Sequence, residues 1–184
     1  MAVTAAGTPY VESSDNVADY PGVSLALANH IDTIGKVLQV VSVTKTDTFS
    51  TSSTSYTDVT GLAATITPRA TTSKILIYVD SNYSNLADRN GIFRLVRDST
   101  PIALGDTAGS RSRGFAQGRP QDTSASASIT TNFLDSPSTT SATTYKVQML
   151  VQSGTGEVNQ LSDSTDSSQR GRTISSITLT EVSA

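Results

Sequence analysis

Val37-Leu38-Gln39-Val40-Val41-Ser42-Val43-Thr44 follows a period of two, the pattern of a half-buried β-strand. The same alternation returns downstream, so one stretch sets the reading of the domain. Leu62 to Thr67 reads as a second strand closed by Pro68, and Ser73 to Asn82 as a third. Gly91 to Arg97 follows, then a turn at Asp98-Ser99-Thr100-Pro101 and a short strand at Ile102-Ala103-Leu104. Later strands are expected at Ser124 to Leu134, Thr143 to Gln152, Glu157 to Leu161 and Arg172 to Val182. About eight to ten strands divided by turn clusters predict an all-β, antiparallel β-sandwich, with jelly-roll and immunoglobulin-like arrangements leading.

Composition agrees. Serine and threonine number 28 each, charged residues are 16%, and cysteine and tryptophan are absent from the 184 residues. Threonine and valine suit a pleated surface, while serine, glycine, asparagine and aspartate supply turns. The apolar runs Lys74-Ile75-Leu76-Ile77-Tyr78-Val79 and Tyr145-Lys146-Val147-Gln148-Met149-Leu150-Val151 set the chain apart from a disordered polar tract. Without cysteine there is no disulfide framework, thiol nucleophile or thiolate metal site. The chain shows no signal-peptide pattern at Met1 to Tyr20 and no apolar run long enough to span a bilayer. A net charge of −3 gives no reason to expect nucleic acid as a partner. The expectation is a protein made in a cytoplasm, with no membrane insertion.

Upstream of Lys36 the character changes, which divides the chain into an N-terminal segment, 1–35, and a β domain, 36–184. Thr8-Pro9-Tyr10-Val11-Glu12-Ser13-Ser14-Asp15 reads as extended peptide, because the residue before a proline is pushed out of the α region. Asp19-Tyr20-Pro21-Gly22-Val23 then opens one short helix, with proline suited to a first helical position. Val23, Leu27, Ile31 and Ile34 make its narrow apolar stripe, and Gly35 stops it. A helix of about four turns is marginal in water, so it needs a surface. That surface is its own domain, its symmetry mates or another protein. Tyr10, Val11, Tyr20, Val23, Leu27, Ile31 and Ile34 are the candidate anchor and trimer-interface residues.

The string Gly35-Lys36-Val37-Leu38-Gln39-Val40-Val41, with Thr48-Phe49-Ser50-Thr51, Tyr56-Thr57-Asp58-Val59-Thr60-Gly61-Leu62, Ile66-Thr67-Pro68 and Ser73-Lys74-Ile75-Leu76-Ile77, resembles a domain of bacteriophage tail-fibre and other virion structural proteins. In outline it resembles the trimeric jelly rolls of the C1q and tumour-necrosis-factor type, and Thr173 to Val182 fits the last strand of such a domain. Pro9 to Asp15 through Tyr20 to Ala26 is similar to leader segments that precede phage tail appendages. The resemblance implies a homotrimer around a threefold axis, fixed to other virion proteins by its leader. Its expected place is the virion, as a tail fibre or appendage for host attachment, or as a capsid decoration protein that stabilises the head.

Catalytic chemistry is thinly represented. A hydroxyl nucleophile needs a base, and the one histidine, His30, sits in the leader helix. Asp80, Asp88, Glu157, Asp163 and Asp166 could serve a polysaccharide hydrolase, which needs two placed carboxylates, but no pair is singled out by spacing and all fall at strand ends or turns. Asp80, Asn82, Asn85 and Asp88, and separately Asp163-Ser164-Thr165-Asp166, could offer oxygens to calcium, although turn chemistry accounts for both tracts. The expectation is a protein that is not an enzyme and takes no cofactor or metal.

Gly105 to Pro120 is the outlier, a glycine- and arginine-bearing loop longer than most connections. It holds Arg111-Ser112-Arg113-Gly114-Phe115 and Arg119-Pro120. Guanidinium groups grip carboxylates and phosphates bidentately and stack on rings. Arg111, Arg113, Phe115 and Arg119 are therefore the candidate binding residues. An anionic host glycan, a host protein, an acidic patch on a neighbouring protomer and plain solvent are the alternatives for what they meet.

Overall fold

In the computed structural model of the chain, the described residues are 2–3, 9–10, 36–86, 89–163 and 165–183. The helix expected from Pro21 to Ile34, and with it Val11, Tyr20, Val23, Leu27, His30, Ile31 and Ile34, lies outside them, as does Asp88. Tyr10 belongs to a two-residue strand, β2 (Pro9–Tyr10), antiparallel to β1 (Ala2–Val3).

The remaining strands are β3 (Val37–Lys45), β4 (Phe49–Thr51), β5 (Thr57–Ile66), β6 (Lys74–Tyr83), β7 (Gly91–Arg97) and β8 (Thr100–Ile102), followed by β9 (Ala116–Gly118), β10 (Ala127–Asp135), β11 (Thr143–Val151), β12 (Gly156–Val158) and β13 (Ser175–Val182). One sheet runs β10-β6-β13-β3 and the other β5-β11-β7-β8, with β9 also paired to β7 and a ribbon of β12 with β4 beside them. Every pairing is antiparallel. Chain order crosses between the sheets, from β5 to β6 to β7 and from β10 to β11, while β3 and β13 close as neighbours. The chain is a jelly-roll β-sandwich.

The strand registers give the first sheet an inner face of four rows. Phe133, Ile77, Leu179 and Val41 form one row, and Thr131, Val79, Ile177 and Val43 the next. Opposite them the second sheet buries Leu62, Ala64 and Ile66 of β5, Phe93 and Leu95 of β7, and Tyr145, Val147, Met149 and Val151 of β11. Each fully buried aliphatic or phenylalanine side chain stabilises by roughly 1.5–3 kcal/mol, which is where a chain without disulfides finds its stability.

Polar rows close the core at both ends. At one end Asp135, Ile75, Glu181 and Gln39 align across β10, β6, β13 and β3. Glu181 is fully buried and accepts hydrogen bonds from the Arg69 backbone N–H at 2.7 Å and from Gln39 Nε2 at 2.6 Å. At the other end Ser81 and Ser175 share a hydrogen bond of 2.9 Å. Asn159, at φ +64°, caps that row by donating to the Lys45 and Asp47 carbonyls and accepting from the Ser175 hydroxyl.

Tyr83 is the largest plug. Its ring is fully buried, edge-on to Phe93 with centroids 5.7 Å apart, and Asn85 Nδ2 donates to its hydroxyl at 2.8 Å. Three glycines make room for it: a Cβ on Gly91, Gly118 or Gly156 would lie 2.5, 2.8 or 2.8 Å from ring atoms. Only hydrogen side chains at these positions on β7, β9 and β12 let the strands close on the tyrosine.

Several expected bounds moved, each for a local reason. The second strand starts at Thr57, because Val59 to Leu62 bulge opposite Val147, with Gly61 at φ +83°. Pro101 lies inside β8, tolerated because β8 is an edge strand, and Ala103 at φ +52° ends it before Leu104. The strand expected at Glu157 to Leu161 stops at Val158, where Asn159 turns the backbone. β13 starts at Ser175 and β10 at Ala127, each later than the alternation predicts, while β10 runs on to Asp135.

Candidate functional site

The two outer faces of the sandwich differ in chemistry. On the first sheet, Leu134, Leu76, Thr180 and Val40 stand in one row across all four strands, with Asn132, Tyr78, Thr178 and Ser42 in the next. Val40 is 57% exposed, Leu134 50%, Tyr78 47% and Leu76 40%. Val37, also exposed, extends this apolar patch along β3. Between them Ser42 and Thr178 share a hydrogen bond of 2.8 Å.

The outer face of the second sheet is polar and leads to the arginine loop. Asp58, Gln148 and Arg94 align across β5, β11 and β7. Gln148 Nε2 donates to Asp58 at 2.6 Å, Arg94 Nε donates to Gln148 Oε1 at 2.8 Å, and Lys146 Nζ pairs with Asp58 at 2.7 Å. Burial alone would push the Asp58 carboxyl up, but these donors outweigh it and hold it below the usual carboxylate range. The Arg94 guanidinium lies 3.9 Å over the Tyr56 ring, and the Tyr56 hydroxyl donates to the Arg113 carbonyl at 2.6 Å.

The four candidate residues of the loop are therefore not equivalent. Arg113 Nε donates to the Gly105 carbonyl at 2.6 Å, which braces the loop across its neck. Phe115 is half-buried against the core, and its N–H donates to the Phe93 carbonyl at 2.9 Å. A Cβ on Gly114 would lie 2.1 Å from that carbonyl, so the loop presses on β7 at a residue that must be glycine. Arg119 is exposed beyond β9. Arg111 is the one that faces an open cleft.

That cleft, of about 460 Å³, lies where β7, β9 and β11 meet the loop, with Arg111, Ser112 and Thr54 on its rim. Its floor is Leu150 and Ile92, whose row continues to Gln117 on β9. Gln117 Nε2 donates to Asn90 Oδ1 at 3.3 Å, and Asn90 Nδ2 donates to Gln152 Oε1 at 3.0 Å. Sequence reading found Arg111 and missed the three carboxamides. They are single, uncharged and far apart in the chain, and only the pairing of β7 with β9 and β11 joins them.

No family model and no curated protein matches the chain. Among the solved structures similar to it, three share low identity with the chain. They are T=1 particles derived from infectious bursal virus (11% identity, TM-score 0.37, 78% of this chain and 39% of that one), the Gx strain of infectious bursal disease virus (13%, 0.37, 81% and 40%) and the VP2 subviral particle of the same virus (12%, 0.32, 78% and 39%). The chain spans about two fifths of the length of the chains it matches.

The carboxylates considered for hydrolysis are dispersed. Asp80 stands on the outer face of β6, in a row with Thr130 and Ser176. Glu157 is on β12, its Oε2 enclosed without a hydrogen bond, and burial pushes its carboxyl up. Asp163 accepts from Thr165 and pairs with Arg170 at 2.8 Å, and those hydrogen bonds hold it below the usual range. Asp166 is exposed in the same loop. Of the tract considered for calcium, Asn82 and Asn85 spend their amides on Thr173, Asn159, Tyr83 and Ser153. Among the described residues no three His, Asp or Glu side chains converge on a common point, and no helix is long and apolar enough to cross a membrane.

Proposed function

We propose that this chain is a non-enzymatic virion structural protein of a bacteriophage, a homotrimeric tail-fibre or appendage subunit whose segment 1–35 docks on the particle and whose jelly roll faces the host surface. The observation that carries this reading is the exposed row Leu134, Leu76, Thr180 and Val40, with Tyr78 and Val37 beside it. A contiguous exposed apolar patch of this kind marks a surface for another protein. Self-association of a chain with few large aromatics buries that patch and adds stability that the single sandwich lacks. The opposite face, with its amides, charged groups and cleft, is then left for a ligand. The resemblance of the strings between Gly35 and Ile77, and of the leader, to phage virion and appendage segments points the same way.

Light scattering tests the assembly: the expected mass is three times the 19.2 kDa chain. A stable monomer would remove the threefold axis from the proposal. Electron microscopy of particles lacking the protein tests the location. Intact heads that fail to attach are expected; fragile heads would replace the appendage with a capsid decoration protein.

A further inference from the structure

We infer that the cleft between Arg111 and Gln152 is a binding site for an acidic saccharide, a sugar ring that carries a carboxylate. The inference rests on the reading that the β domain faces a host surface, and it adds the ligand's chemistry. The cleft volume of about 460 Å³ falls within the usual range for small-molecule sites, roughly 300–1,000 Å³.

Each part of the cleft answers a part of such a ligand. Leu150 and Ile92 give an apolar floor that can meet a sugar's C–H face, with polar side chains beside it. In the carboxamide series Gln117 donates to Asn90 and Asn90 donates to Gln152. This leaves the Gln152 NH₂ as donor at one end and the Gln117 oxygen as acceptor at the other. A sugar hydroxyl both donates and accepts, so hydroxyls of a saccharide suit both of these ends. Among the described residues Arg111 is the only charged group lining the cleft, and its guanidinium makes no hydrogen bond or ion pair with any of them. A carboxylate is a group that a guanidinium grips bidentately, and one that sugars commonly carry. A neutral sugar would leave it unengaged.

The test is affinity electrophoresis of the full chain in gels containing polygalacturonate, hyaluronan, polysialic acid, dextran or dextran sulfate. Retardation by at least one of the three carboxylate polymers is expected, with none by dextran. Arg111→Ala should weaken it by roughly tenfold or more, the scale of a hydrogen bond to a charged group. Gln117→Ala and Gln152→Ala, at exposed side chains, should weaken it several-fold without changing the melting temperature, and Arg172→Ala, elsewhere on the surface, should not. Failure with all three carboxylate polymers overturns the inference. So does equal retardation by dextran, retardation by dextran sulfate alone, or equal loss in Arg172→Ala. Light scattering on the same preparations separates the two ideas. A trimer that binds no carboxylate polymer removes the ligand and leaves the assembly; a monomer that binds one does the reverse.

Discussion

The Tyr145 hydroxyl donates to the Asp135 carboxylate across 2.7 Å, tying β11 of one sheet to β10 of the other. Arg97 Nη1 joins the same carboxylate at 2.8 Å. The sandwich is thus pinned at one end by three side chains that the hydrophobic pattern of the strands would have left apolar.

Removing the acceptor should cost more than removing one donor. Asp135→Ala strands a buried tyrosine hydroxyl and a partly buried guanidinium, a loss of about 2–3 kcal/mol. Tyr145→Phe leaves the Asp135–Arg97 pair in place, a loss of about 1 kcal/mol. Urea unfolding gives both values, and the expected order is the check.

The same clamp sets an alkaline limit. Burial, and then the neighbouring Asp135 charge, raise the Tyr145 phenol well above its ordinary range. Its protonated form is therefore favoured by folding. That contribution is complete below the unfolded phenol value of about 10 and is lost as pH rises through the folded value. Unfolding free energies measured upward from pH 9 should fall, and the fall should be shallower in Tyr145→Phe.

Glu181 sets the acid side. Burial alone would raise its carboxyl, but the neighbouring Ser73 hydroxyl, the Arg69 N–H and the Gln39 amide hold it below its ordinary value. Its contribution is present above about pH 4.3 and is lost as pH falls through the folded value. Stability followed from pH 6 to pH 2 should decline, with a weaker dependence in Glu181→Gln at a lower starting stability.

The Tyr83 plug and its glycines should behave as one unit. Gly91→Ala places a Cβ against the ring and should destabilise by about 1–3 kcal/mol. Tyr83→Ala opens a cavity and should cost about 3–5 kcal/mol. Once the ring is gone the three atoms nearest to a Cβ at 91 are gone with it, so the double variant should be more stable than the sum of the two predicts, as a double-mutant cycle would measure.

A charge on the apolar outer face should act on assembly and not on folding. Leu76→Lys points its side chain to solvent in the isolated sandwich. Its expected effect is a fall in the light-scattering mass, with the melting temperature measured at low concentration changed little.

Sequence made the sandwich legible wherever one face is buried. Lys74–Tyr83 and Thr143–Val151 alternate because a one-residue slip would turn every apolar group to solvent. It was silent where short strands are fixed by partners and not by pattern. Phe49–Thr51 sits in a threonine and serine run and Ala116–Gly118 in a glycine and arginine loop; each exists because β12 or β7 offers an edge. At the site, Arg111 was visible as a charge, but the roles of Arg113 and Phe115 depend on Gly105, Tyr56 and Phe93, contacts that no local spacing encodes.

One consequence concerns timing. β13 does not lie at a sheet edge but in the middle, between β6 and β3. On the ribosome β3 emerges early and waits for a partner about 130 to 145 residues later in the chain, a non-local closure of the kind that makes β-sandwiches slow to fold. Until Val182 is released, β3 and β6 each present an open edge. Any stop codon before Ser175 would leave them so, producing a sticky fragment and not a shorter but sound domain.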